Sequence, residues 1–147
     1  MEQLILSAKS VLANTFFMYY KAHSYHWNVE GIHFSQYHDF FSELYTELFA
    51  SIDLIAEEIR TLDSYAPHSL SNLYQYKTIS EDDVPPVLLK DMLANLVDAN
   101  DKVLVSLNNL FKAASENNNQ GLADFAATRI DVHNKHGWML KSSGKGL

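Results

Sequence analysis

From Ser35 to Leu62 the apolar side chains Phe41, Leu44, Leu48, Ile52, Ile55, Ile59 and Leu62 return every three or four residues. That spacing lays them along one stripe of a helix and leaves polar residues on the other faces. Ser35 stands where an N-cap is wanted. Ala66-Pro67 closes the segment, because proline pushes the residue before it out of helical backbone angles. A helix with such a stripe is stable only when packed, so the chain is constrained to a helical bundle.

The same helix carries chemistry. Asp53 and Glu57 stand four positions apart, so both carboxylates project from one face and can hold a hard or borderline cation together. His38 lies fifteen positions before Asp53, which at ~1.5 Å per residue separates them by roughly 22 Å along an unbroken helix. One ion cannot touch both within one chain. His26 precedes a turn at Gly31, so it folds back toward His38 from a preceding antiparallel helix. Two copies related by a two-fold axis, with these helices antiparallel, bring the histidines of one to the carboxylates of the other, twice over. The spacing therefore predicts a metal site shared between subunits.

Around this helix the rest of the chain reads as scaffold. A first helix over residues 2–28 carries Leu4, Ala8, Val11, Thr15, Met18 and Ala22 in one stripe, while Phe16, Phe17, Tyr19 and Tyr20 make it aromatic all round. A segment of that kind is buried on more than one side, in a core or at a subunit contact. Residues 66–83 form a long polar connection with an apolar patch at Leu70, Leu73 and Tyr74, enough for a turn or two of helix. A third helix begins with Pro85 and Pro86 in its first turn, after an acidic run, and extends to about Ala114. ENNNQG breaks it, a fourth helix covers Leu122 to Lys141, and GKGL is a frayed tail. Two long helices, a long crossover and two more helices make an all-α four-helix bundle with ferritin-like connectivity.

The 147 residues suit one domain, 1–147, that buries about 70% of its unfolded surface. Hydrophobic residues make up 47%, with five glycines and three prolines and no low-complexity run, which favours a packed helical chain over a disordered one. There is no cysteine, so a metal must be held by His, carboxylate, Tyr or water. The cytoplasm is the expected compartment, and the N-terminal residues lack the basic and small-residue marks of a signal peptide or the apolar run of a membrane span. The net charge of −7 argues against general nucleic-acid binding, which draws on Lys and Arg to neutralise phosphates.

With HWNVEG, IDLIAEEIRTLDSYAP, KHGWMLK and the spacing H-x11-H-x14-D-x3-E in view, the chain resembles the mini-ferritin family known as Dps, DNA-binding proteins from starved cells. The resemblance spans nearly the whole length, including a short extra helix in the crossover. It implies that His26 and His38 of one subunit, with Asp53 and Glu57 of its two-fold neighbour, form a ferroxidase centre in a dodecameric shell, with peroxide the preferred oxidant. It implies iron storage and protection against oxidative damage. The departures are specific. Where the family has an acid supporting a second iron, four residues after the second histidine, this chain has Ser42, and Glu43 points elsewhere on the helix. Ala56-Glu57-Glu58 replaces the frequent A-E-R, adding an acid in place of an arginine. The basic N-terminal arm that some members use on DNA is absent, since only Lys9 and Lys21 are cationic in the first 28 residues.

The remaining candidates are weaker. Trp27, beside His26, either packs in the core or donates an electron to an oxidised intermediate. Asp124 matches, by its distance from Trp138, an acid lining a three-fold pore in the family, against the plain reading of an acid near a helix N-terminus. His23 and His33 read as supporting or surface residues, and His133 and His136 as surface residues more than ligands. Glu30-x-x-His33 copies half of the motif of intrasubunit di-iron bundles but lies at a turn and has no second copy. The expected function is an enzyme: a ferroxidase that binds Fe2+, passes electrons to hydrogen peroxide or dioxygen, and stores Fe3+. Two other classes stand beside it, a DNA-binding or condensing protein and a shell protein whose site is silent or holds Zn2+. DNA contact, if made, is expected through bridging divalent ions.

Overall fold

The computed structural model describes residues 1–147. Five helices follow in order: α1 Glu2–Asn28, α2 Phe34–Thr61, α3 Leu70–Tyr74, α4 Leu89–Glu116 and α5 Gln120–Gly144. Four are long and pack as a bundle, and α3 is the short helix in the crossover. The apolar stripes meet at its centre: Leu4, Val11, Met18 and Ala22 of α1, Phe41, Leu48, Ile55 and Ile59 of α2, and Leu93, Leu96, Val103 and Leu107 of α4 are all buried. No helix is long and apolar enough to cross a membrane.

The crossover is held to α1 by polar side chains that its stripe cannot leave unpaired. Asn14, fully buried, donates to Thr78 Oγ1 at 2.9 Å and accepts from the backbone N–H of Thr78 at 2.8 Å and of Ile79 at 3.3 Å. Ser10 donates to the Tyr76 carbonyl at 2.8 Å. Further along, Lys21 meets Asp82 at 2.9 Å and the Tyr25 hydroxyl donates to Asp82 at 2.6 Å, while Asn95 of α4 donates to Tyr25 at 3.1 Å. Burial, reinforced by the bond to Asp82, raises the Tyr25 pKa far above that of a free phenol. The connection thus climbs α1 from Ser10 toward Tyr25 and delivers α4 at the C-terminal end of α1. That is how α2 and α4 come to run in the same direction.

The helix ends differ from expectation in four places. Gly31, at φ +115°, turns the chain so tightly that His33 becomes the N-cap and Ser35 is already inside α2. At its other end α2 stops at Thr61, before Ala66-Pro67, because Asp63 adopts φ +60° and its N–H closes on the Arg60 carbonyl, a left-handed conformation that Asp tolerates. Pro85 and Pro86 precede α4 instead of opening it: a proline disfavours helical angles at the residue before it, and Leu88, next to the helix, is extended with ψ 134°. The last helix runs from Gln120, capped by the Asn119 side chain at Leu122 N, to Gly144, past the expected end at Lys141. Its final turn is tied to α2 by the Tyr37 hydroxyl, which donates to the Ser143 carbonyl at 3.2 Å.

Lys21 is 8% exposed and its only carboxylate partner is Asp82. Asp82→Ala should therefore cost on the order of 3 kcal/mol, the scale for leaving a buried charge unpaired. Urea unfolding would measure the loss, and limited proteolysis should show residues 76–88 newly open to cleavage.

Candidate metal centre

His26 lies in the last turn of α1 and His38 in the second turn of α2, on either side of the Gly31 turn. Their rings stack with centroids 3.8 Å apart at 19°. Each donates its Nδ1–H to the other's backbone carbonyl at 2.7 Å: His26 Nδ1 to His38 O and His38 Nδ1 to His26 O. The His26 carbonyl is among those at the end of α1 that no helical N–H can reach, so the bond meets a need of the backbone as well as of the ring. With Nδ1 protonated and occupied, each neutral imidazole presents its Nε2 lone pair, the form in which histidine binds a metal. The sequence expectation that the two histidines face each other across the turn holds.

Asp53 and Glu57 lie further along α2, exposed and without hydrogen-bond or ion-pair partners in the chain. Because α2 is continuous from Phe34 to Thr61, the carboxylate pair and His38 stay ~22 Å apart. No three His, Asp or Glu side chains of one chain converge where a metal could sit.

An aromatic cluster surrounds the histidine pair. The His23 ring stacks on Tyr45 at 3.8 Å and 9° and approaches Trp27 at 4.2 Å, while Tyr45 meets His26 edge-on at 5.2 Å. The Tyr19 hydroxyl is bonded to His23 Nδ1 at 3.0 Å. Burial, with a smaller contribution from His26, lowers the His23 pKa. Trp27 is 55% exposed, which corrects the core-packing reading: within one chain the indole covers His23 and otherwise faces outward. Tyr20, Phe49 and Leu54 are also exposed, so the side of α1 and α2 that bears the candidate ligands carries large apolar groups. His33 and Asp124 are exposed, the latter in the second turn of α5.

A family model of the ferritin-like domain matches residues 8–143. The chain belongs to the ferritin-like family. Dps from Thermosynechococcus elongatus superposes with a TM-score of 0.93 at 28% identity, covering 99% of this chain and 94% of that one. Dps from Vibrio cholerae, described as a member of a broad superfamily of ferritin-like diiron-carboxylate proteins, gives 0.92 at 29% identity over 98% and 90%. Among relatives known by sequence, a low temperature-induced protein of Nostoc is 34% identical over 92% of this chain and 76% of its own. General stress protein 20U of Bacillus subtilis is 29% identical over 96% and 97%.

On the opposite flank of this Dps-type bundle, α5 meets α2 through a polar network that the sequence reading missed. Arg129, 7% exposed, forms two bonds to Glu47, at 2.5 and 3.0 Å, and His136 donates Nε2–H to Glu47 at 2.7 Å. Arg129 also donates to His133 Nε2 at 3.2 Å, and His133 Nδ1–H donates to Asn100 of α4 at 2.8 Å. His133 is 1% exposed, so the expectation that it lies on the surface is wrong, and His136 is largely covered too. The available signal was position: Arg129, His133 and His136 share the face of α5 that carries Leu122, Ala126 and Leu140, and a cation in an apolar stripe requires a buried partner. Beside the network a cavity of about 450 Å³ opens between α2 and α5, lined by Phe40, Glu43, Lys135 and Met139 among others.

Glu47 and His133 favour the same pH range. Burial alone would raise the Glu47 pKa, but hydrogen bonds from His136 and Arg129 more than offset it and hold the carboxyl at about 2. Burial first, and the Arg129 charge second, push His133 down to about 3. Both groups therefore bind protons more tightly when unfolded, with ordinary values of 4.5 and 6.5, and their stabilisation is complete above those values and lost as pH falls. Stability from urea titrations should decline as pH drops from 6.5 toward 3, with Glu47 adding to the decline below 4.5. His133→Gln should flatten the upper part of that decline.

Proposed function

We propose that the protein is a ferroxidase that oxidises Fe2+ with hydrogen peroxide or dioxygen at a site shared by two copies, and stores Fe3+ in a hollow homo-oligomeric shell, a dodecamer by family resemblance. The observation that carries this reading is the division of ligands: two imidazoles with free Nε2 atoms at one end of α2 and two unpartnered carboxylates a helical turn apart toward the other. Antiparallel pairing of α2 with its two-fold copy satisfies both pairs at once. The exposed Trp27, Phe49 and Leu54 favour that pairing, since apolar groups beside the ligands lose water when two copies meet.

The donor set suits the substrate. Neutral imidazole accepts Fe2+ readily, and the two carboxylates favour the harder, more highly charged Fe3+ product, which pulls the reaction forward. Ser42, one turn beyond His38 on the same face, offers a hydroxyl where a carboxylate would be needed to hold a second ion. Asp124, exposed near the start of α5, is the acid we assign to an entry pore. Work in the cytoplasm, removing iron and peroxide together, fits this chemistry.

Asp53→Asn and Glu57→Gln keep shape and remove charge, so each should slow peroxide-driven iron oxidation while leaving assembly intact. His26→Ala should do the same. Co-assembled His26→Ala and Glu57→Gln chains create some interfaces in which one site regains every ligand, and activity should partly return. Hybrids as inactive as both parents, with mixing verified by mass spectrometry, would refute the shared site.

The surface charge gives a separate outcome. At −7 per chain the shell should leave plasmid DNA unretarded at physiological salt when no divalent cation is added. A salt-sensitive gel shift without Mg2+ would instead support the DNA-condensing reading.

A further inference from the structure

Hydrogen peroxide needs two electrons to become water, and Fe2+ gives one. The four candidate ligands suit a single ion, and no carboxylate stands one turn from His38 or His26 on their own helix faces, where Ser42 and Ala22 sit. A site of this kind, oxidising one ion at a time, leaves an oxidant equivalent to a hydroxyl radical unless another group nearby supplies the second electron.

We infer that Tyr19 supplies that electron and His23 takes the phenolic proton, an assignment that rests on the ferroxidase reading above. Four oxidisable side chains lie in the aromatic cluster: Tyr45, Trp27, Tyr19 and Tyr20, the last edge-on to Trp27 at 6.2 Å. A phenol gives up an electron readily only when its proton leaves as well, so the donor needs a base within about 2.6–3.2 Å. Tyr19 has one, His23 Nδ1 at 3.0 Å. The hydroxyls of Tyr45 and Tyr20 and the indole N–H of Trp27 have no hydrogen-bond partner in the chain, and Tyr20 and Trp27 are 54% and 55% exposed. The pair is also wired to the metal ligands. His23 lies flat on Tyr45 at 3.8 Å, and Tyr45 abuts His26 at 5.2 Å, so aromatic contacts run unbroken from Tyr19 to the iron-binding imidazole.

The balance is complete. Fe2+, hydrogen peroxide, the neutral Tyr19–His23 pair and two protons give Fe3+, the Tyr19 phenoxyl radical beside protonated His23, and two waters. A second Fe2+ then returns one electron to the phenoxyl, the proton moves back from His23, and the pair is reset with a second Fe3+ formed. Two ions are thereby oxidised per peroxide by a site that holds one.

The test is freeze-quench electron paramagnetic resonance on the assembled protein, loaded with one Fe2+ per site and mixed with peroxide. A tyrosyl signal is expected that narrows when the protein carries ring-deuterated tyrosine. It should be lost in Tyr19→Phe and weakened in His23→Gln, but unchanged in Tyr65→Phe. A hydroxyl-radical spin trap, silent with the wild type, should respond in Tyr19→Phe. In case Tyr19→Phe fails to assemble, a nitroso trap on wild-type protein followed by peptide mapping should place the adduct on Tyr19. Iron oxidation with an undiminished radical in Tyr19→Phe, a tryptophan radical, an adduct on another residue, or no radical at all would overturn the pair and leave the ferroxidase reading standing. Failure of the wild type to oxidise iron would overturn both.

Discussion

The stiffness of α2 governs the candidate site. A continuous helix of 28 residues cannot bend its two ligand pairs together, because a sharp kink needs a proline, a glycine pair or a bulge, and the α2 sequence offers neither proline nor glycine. The histidine end is made firm by the Gly31 turn and the two reciprocal Nδ1–H bonds, which fix α1 against α2 and fix the tautomer of both rings at once. The carboxylate end is left bare. Within one chain the two ligand pairs stay apart, so in the proposed function assembly and chemistry are one problem.

The bundle is held together unevenly. On the α1 side, helices meet through aliphatic and aromatic stripes, and the crossover is stitched on by Asn14, Lys21 and Tyr25. Helices α4 and α5 approach closely at Gly137, where an added Cβ would lie 3.0 Å from Asn100, the residue that holds His133. Between α2 and α5 the contact is polar, with Arg129 and His136 spanning the gap to Glu47 beside an open cavity. Acid should therefore loosen this flank first, away from the histidine pair. The proposed oxidation chemistry sits on the other, more aromatic flank, where a tyrosine and a histidine are hydrogen-bonded directly.

Much of this was legible in the sequence, for reasons that differ by element. The stripes of α1 and α2 showed their buried faces because apolar periodicity is a local property, and α1 ends where it was expected to. The His26–His38 encounter was legible because a glycine turn leaves little freedom in a hairpin of two helices. The end of α2, set by one left-handed residue at Asp63, was not, since nothing in residue type alone required it there. Nor was the Glu47–Arg129–His136 network, whose partners are 82 and 89 residues apart and are brought together only by the packed bundle. The Tyr19–His23 bond lay within one helical turn and could have been suspected from its i, i+4 spacing, but the stacking of His23 on Tyr45 depends on how α1 meets α2.

In the proposed function two chains make one iron site. The most direct measurement is a crystal structure of the assembled protein soaked in Fe2+ under anaerobic conditions, with anomalous scattering recorded at the iron edge. A peak is expected between His26 and His38 of one subunit and Asp53 and Glu57 of its two-fold partner, repeated at the other end of the same interface. A peak bound within one chain, or an ordered assembly in which the carboxylates of α2 face solvent far from any histidine, would contradict it.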